Sequence, residues 1–98
     1  MKDETTPLIR YTSLFNKQRK AAPLEIKIAF RETLELFLEN SHHPQLRNHP
    51  LKEEYAGYNS INVTDDWRAL FKVRESETQT TITFHVLGTH EELYGEEK

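Results

Sequence analysis

This sequence predicts a mixed α+β domain, with an N-terminal strand and two helices packed on one face of a mainly antiparallel four-stranded sheet. Three observations carry that reading. Between residues 24 and 40, Ile26, Ala29, Phe30, Leu34, Phe37 and Leu38 share one stripe at helical spacing, opposite Glu25, Arg31, Glu32, Glu35 and Glu39. Between residues 58 and 87, three runs rich in β-branched and aromatic residues alternate in polarity and are separated by short polar turns. With 98 residues the chain is too short for two independent cores, so residues 1–98 are read as a single domain.

Taken in order, residues 1–6 are polar without a period, and a frayed start is expected. Residues 8–12, Leu8-Ile9-Arg10-Tyr11-Thr12, suit a first strand. Residues 13–21 are helix formers with a basic bias, and Ser13 is placed to cap their first turn. Pro23 ends this helix and is tolerated at the start of the next, where it has no amide hydrogen to leave unpaired. The long helix stops near Asn40-Ser41, ahead of Pro44. Residues 41–56, which hold His42, His43, His49 and Pro50, form an ordered connection with room for a turn of helix.

Strands are expected at about residues 58–63, 67–74 and 80–87, joined by Thr64-Asp65-Asp66 and by the polar stretch from Glu75 to Gln79 as two hairpins. Alternation places Trp67, Ala69, Phe71 and Val73 on one side of the middle strand and Arg68, Leu70, Lys72 and Arg74 on the other. In the last strand it groups Ile82, Phe84 and Val86 against Thr83, His85 and Leu87. The apolar sides pack on the helices. The other face then carries Asn62, Arg68, Lys72, Arg74 and His85, an unusual density of donors that suggests a binding surface for substrate.

Composition narrows the function classes. A hydrophobic content of 36% with 30% charged residues fits a folded domain rather than a disordered one. No run approaches the ~20 apolar residues of a membrane helix, and Met1-Lys2-Asp3-Glu4 does not resemble a signal peptide, so a cytoplasmic protein without a membrane partner is expected. Cysteine is absent, which removes disulfides and thiolate metal sites. The net charge of −3 lacks the overall positive balance of a nucleic-acid binder. Charge is nonetheless uneven: Glu91, Glu92, Glu96 and Glu97 load the C-terminus, while Arg10, Lys17, Arg19, Lys20, Lys27 and Arg31 enrich the first third.

The chemistry-bearing residues flank the strands. Histidine exchanges protons near neutrality, and His49 and His90 lie beside the sheet. Cleaving RNA needs a base for the 2′-hydroxyl, an acid for the leaving 5′-oxygen and positive charge for the transition state. His49, His90 and Asp66 can share the first two tasks, Arg68 can supply the third, and Tyr94 can stack on a base or donate to phosphate. Each also has a structural alternative: Asp66 as a turn cap, Arg68 and Lys72 as a solvated strand face, Trp67 as core. His42 and His43 are read as surface or capping residues. No pair of histidines has the helical i, i+4 spacing of a strong metal site, and neither a metal nor another cofactor is expected.

The ordered series His49-Pro50-Leu51, Gly57-Tyr58, Asp66-Trp67, Gly88-Thr89-His90 and Leu93-Tyr94 resembles the RelE/ParE superfamily of bacterial toxins and, within it, the YafQ-like endoribonucleases. The resemblance spans nearly the whole chain. It implies the toxin of a type II toxin-antitoxin system, an mRNA interferase that enters the ribosome and cuts translated mRNA. It further implies a cognate antitoxin that holds the toxin inactive, and operator DNA bound only by the toxin-antitoxin complex. Carried over, His49 and His90 match the family's acid/base histidines, Asp66 its active-site aspartate, Tyr94 the terminal aromatic, and Arg68 the phosphate-facing arginine of related toxins. Asn62 stands where the YafQ-like pattern has a further histidine, and it hydrogen bonds without exchanging protons. Two other readings share the fold: a ParE-like inhibitor of DNA gyrase, and a catalytically weak homologue that binds the antitoxin. An acidic or amphipathic antitoxin segment would suit the cationic sheet face, with Arg68 and Lys72 holding it.

Overall fold

The computed structural model describes residues 6–94. The frayed start expected over residues 1–6 lies outside the described residues except for its last position, as do Glu96 and Glu97 of the acidic C-terminus.

Strand β1 (Leu8–Tyr11) leads into helix α1 (Ser13–Ala21) and helix α2 (Leu24–Glu39). The cap of α1 is Thr12 rather than Ser13, its hydroxyl accepting from the Phe15 amide at 3.0 Å. A cap must precede the first helical residue, and Ser13 is itself that first residue. On α2 the buried residues are Ile26, Phe30, Thr33 and Phe37, spaced by four, three and four. Thr33 enters this stripe because its hydroxyl donates to the Val63 carbonyl at 3.5 Å, whereas Leu38 sits at its edge and is 41% exposed.

The connection after α2 makes a 3-10 turn at Pro44–Leu46, a two-residue strand β2 (His49–Pro50) and a second 3-10 turn at Glu53–Tyr55. Strands β3 (Asn59–Asn62), β4 (Trp67–Glu75) and β5 (Thr80–Thr89) follow, and helix α3 (His90–Tyr94) closes the described chain. The sheet order is β1-β5-β4-β3-β2, with β1 parallel to β5 and the remaining pairs antiparallel. The α+β class and its mainly antiparallel sheet agree with the sequence; β2 adds a fifth strand too short to show alternation.

Between the helices and the sheet lies a cluster of rings centred on Phe84. Its ring lies 5.4 to 6.0 Å from those of Tyr11, Phe15, Phe30, Phe37 and Phe71. The Arg19 guanidinium covers Tyr11 at 4.4 Å, so one of the basic residues of the first third contributes to packing.

The pairing of β4 with β5 slips once: Leu70 faces Val86, but Phe71 faces Phe84. His85 is the extra residue of a β-bulge. The bulge reverses the alternation beyond it, so Leu87, not Val86, turns to the helix side, opposite Ala69 and only 2% exposed. The second face is also less open than the alternation suggests. Leu70 and Ser60 are fully buried on it, beneath the layer formed by Tyr55 and α3.

Candidate functional site

Five of the nine residues read as functional line one cavity of about 560 Å3: His49, Asn62, Arg68, His90 and Tyr94. Four elements bring them there. β2 carries His49, the facing ends of β3 and β4 pair Asn62 with Arg68, and α3 presents His90 and Tyr94.

His49 is exposed, and its placement begins in the preceding loop. The Asn48 side chain donates to the Ser41 carbonyl at 2.9 Å, and β2 then pairs His49 with Ser60. The His49 Nδ1 lies 2.7 Å from the Arg47 carbonyl oxygen. A carbonyl can only accept, so Nδ1 carries the hydrogen and Nε2 is left as the nitrogen able to take a proton. Arg47 itself adopts the left-handed region (φ 51°) as it ends the 3-10 turn, and it also lines the cavity.

His90 and Tyr94 depend on a capping box. Thr89 accepts from the Glu92 amide at 3.0 Å, while the Glu92 carboxylate accepts from the Thr89 amide at 2.9 Å. His90 is thereby fixed as the first helical residue, and its amide donates to the Asp66 carbonyl at 2.7 Å. One turn later Tyr94 places its ring 4.7 Å from the imidazole. Gly88 allows the helix this approach: a Cβ there would lie 3.0 Å from the Glu92 carboxylate and 3.4 Å from Leu93. Thr89→Ala should cost about 1 kcal/mol of stability, as loss of an N-cap does. It should also broaden the His90 and Tyr94 ring resonances, and unchanged NMR spectra and melting would show that the box does not hold α3.

The β3–β4 turn is closed by Thr64 rather than Asp66. Its hydroxyl accepts from the amides of Asp66 (3.3 Å) and Trp67 (3.1 Å). Arg68 reaches back over the same turn, its Nη1 donating to the carbonyls of Thr64, Asp65 and Trp67 at 3.0, 2.8 and 3.2 Å. That nitrogen is committed to the backbone, which leaves Nη2 and Nε for a ligand. Asp66 is exposed and does not line the cavity, whereas Asp65 does. Trp67 is half-buried against the core. The cavity residues not anticipated from the sequence are Arg47, Leu51 and Asp65. Arg47 ends a 3-10 turn in the left-handed region, where neither a strand nor a helix period marks it in the sequence.

Lys72, Arg74 and His85 lie elsewhere on the same sheet face. The Lys72 ammonium sits 4.5 Å above the Tyr58 ring, and His85 meets that ring edge-on at 5.2 Å. Burial, and secondarily the Lys72 charge, lowers the pKa of His85 below the ordinary 6.5. The fold therefore favours neutral His85. Its contribution to stability is complete above about pH 6.5 and is lost as the pH falls toward the lowered folded value. His85→Gln should flatten the decline in denaturation midpoint between about pH 7 and pH 5; an unaltered decline would assign it to other groups.

Among the described residues no group of three or more histidine, aspartate or glutamate side chains is arranged to hold a metal ion. No helix among them is long and apolar enough to cross a membrane.

Comparison with known proteins gives a consistent picture. The family model described as "Bacterial toxin of type II toxin-antitoxin system, YafQ" matches residues 8–95. YafQ from E. coli strain BL21(DE3) is similar in structure with a TM-score of 0.68 at 22% identity, over 91% of this chain and 99% of that one. A YoeB/ParE toxin from Agrobacterium tumefaciens has a TM-score of 0.69 at 15% identity, over 85% and 98%. The E. coli DinJ-YafQ toxin-antitoxin complex contains a chain with a TM-score of 0.67 at 21% identity, over 93% and 100%. At these identities the structural likeness speaks for the fold. No curated protein matches the chain in sequence.

Proposed function

The chain belongs to the YafQ family of bacterial toxins of type II toxin-antitoxin systems, and from that premise we propose that it is an endoribonuclease that cuts mRNA on the translating ribosome by acid/base chemistry. The observation that carries this reading is the meeting of His49, with a defined tautomer, and His90 in one cavity that also holds Arg47 and Arg68.

In the proposed reaction His49 Nε2 takes the proton of the 2′-hydroxyl, and the freed 2′-oxygen attacks the adjacent phosphorus. The bond from phosphorus to the 5′-oxygen breaks, and His90 donates the proton that the leaving oxygen needs. The products are a 2′,3′-cyclic phosphate and a 5′-hydroxyl. His49 ends protonated and His90 deprotonated, and exchange with water restores both. Charge on the phosphorane-like transition state is met by Arg47 and by the uncommitted nitrogens of Arg68. Asn62 supplies hydrogen bonds, and the Tyr94 ring stacks against a base or donates to phosphate. Asp66 acts as a positioning residue through its carbonyl bond to the His90 amide.

We further propose a cognate antitoxin as the protein partner, with operator DNA engaged through that complex, and action in the cytoplasm. Induced expression in bacteria should arrest growth, stop protein synthesis within minutes and leave plasmid supercoiling intact, and the antitoxin should reverse the arrest. Loss of supercoiling with translation continuing would reassign the chain to gyrase inhibition.

A further inference from the structure

At the end of the sheet away from the cavity, Arg10 and Arg74 line a second, open groove of about 390 Å3 together with Ser76, Gln79, Thr81 and Thr83. Every one of these side chains carries a hydrogen-bond donor and none is a carboxylate. Register explains the grouping. Arg10 on β1 lies opposite Thr83, and Arg74 on β4 lies opposite Thr81, so two guanidiniums flank the threonines of β5 from its two neighbours. Both arginines are exposed. Glu75, the next residue of β4, lines a groove against α2 instead.

This groove lies on the same sheet face as the cavity. Arg68 and Arg74 are six residues apart on one side of β4, roughly 20 Å at the rise of a strand. The stretch between them is not blank. A run of rings joins the two places, from His90 to Tyr94 at 4.7 Å, Tyr94 to Tyr55 at 5.9 Å, Tyr55 to Tyr58 at 6.0 Å and Tyr58 to His85 at 5.2 Å. Lys72 adds a cation over Tyr58 on the way. Cations that track a backbone, interleaved with rings, are the recurring arrangement of single-stranded nucleic-acid surfaces.

We propose that Arg10 and Arg74, with the hydroxyls of Thr81 and Thr83, form a second phosphate-binding site, which holds the backbone of the single-stranded RNA a few nucleotides away from the bond cut in the cavity. Because the whole chain is acidic, a phosphate gains more from a local pair of guanidiniums than from general attraction to the protein. The direction of the strand rests on the ribonuclease reading of the cavity. The anion site itself does not.

The test uses fluorescent 2′-O-methyl RNA, which cannot be cut, in lengths of about 4 and about 12 nucleotides, the range over which single-strand binding sites extend. The expected result is tighter binding of the longer RNA by the unaltered protein, a gain that Arg10→Gln/Arg74→Gln abolishes while binding of the shorter RNA persists. The slope of log affinity against log salt should fall by about 1.4 for the longer RNA, at about 0.7 for each phosphate that is no longer neutralised. Arg74→Gln alone should give half of that change, and circular dichroism confirms that each variant is folded. Equal affinity for both lengths, or an unchanged slope in the double variant, would overturn the inference. So would a double variant that loses binding to a polyglutamate peptide but keeps its RNA affinity, because the groove would then serve an acidic protein segment. Cleavage of unmodified mRNA on ribosomes, read separately, decides the ribonuclease reading without bearing on this site.

Discussion

His90→Ala should lower the rate of mRNA cleavage by about 10²- to 10⁴-fold, the usual contribution of a positioned general acid. The fold should survive the change. His90 is exposed, and the bond from its backbone amide to Asp66 does not need the imidazole. Tyr94 loses a ring neighbour at 4.7 Å but keeps its place on α3, which the Thr89–Glu92 box continues to cap. RNA binding should therefore remain while turnover falls. His49→Ala should fall by a similar factor, and the double variant by much less than the product, because the two groups act in one step. A His90→Ala protein that cuts at the full rate would remove the histidine from the chemistry.

The second large effect concerns stability. Phe84→Ala should destabilise the fold by about 3–5 kcal/mol, as truncation of a buried aromatic does. Phe84 is fully buried, and five other rings pack around it from β1, α1, α2 and β4. Small domains are stable by only about 5–15 kcal/mol, so this variant should be close to unfolding at body temperature. Chemical denaturation measures it. A loss below about 1 kcal/mol would mean that the cluster collapses onto the gap, and that the rings are not the centre of the core.

Much of this architecture is legible in the sequence because burial imposes a period. The stripe through Ile26, Phe30 and Phe37 and the alternation around Phe71 reflect faces that must turn inward, and they locate α2, β4 and β5. Where a local device interrupts the period, alternation misleads. The bulge at His85 exchanges the sides of Val86 and Leu87, and nothing in the strand's composition marks it. β2 is held by two residue pairings, too few to alternate. α3 reads as a tail although Thr89-His90-Glu91-Glu92 carries the capping-box spacing, a signal easily lost in a run of glutamates.

The site divides in the same way. The residues that meet, His49, Asn62, Arg68, His90 and Tyr94, stand near strand ends on one face, where topology gathers them. In the sequence Arg68 has the aspect of a free cation, but its Nη1 spans the turn to three carbonyls, a tertiary arrangement that residue type does not disclose. Local geometry likewise brings out Arg47 as a neighbouring cation, since its carbonyl orients His49 and its side chain lines the cavity. Arg10 lies at the far end of the chain from Arg74 and becomes its neighbour only because β1 runs parallel along β5.

One measurement bears most directly on the central claim, that His49 and His90 in a shared cavity cut mRNA on the ribosome. Purified protein is added to a defined mRNA, with and without translating ribosomes, and the cut positions and product ends are mapped for the unaltered protein and for His90→Ala. The expected result is cuts at codons that depend on ribosomes, leave a 2′,3′-cyclic phosphate and a 5′-hydroxyl, and disappear in the variant. Intact mRNA under both conditions, or cuts that persist undiminished in His90→Ala, would contradict it.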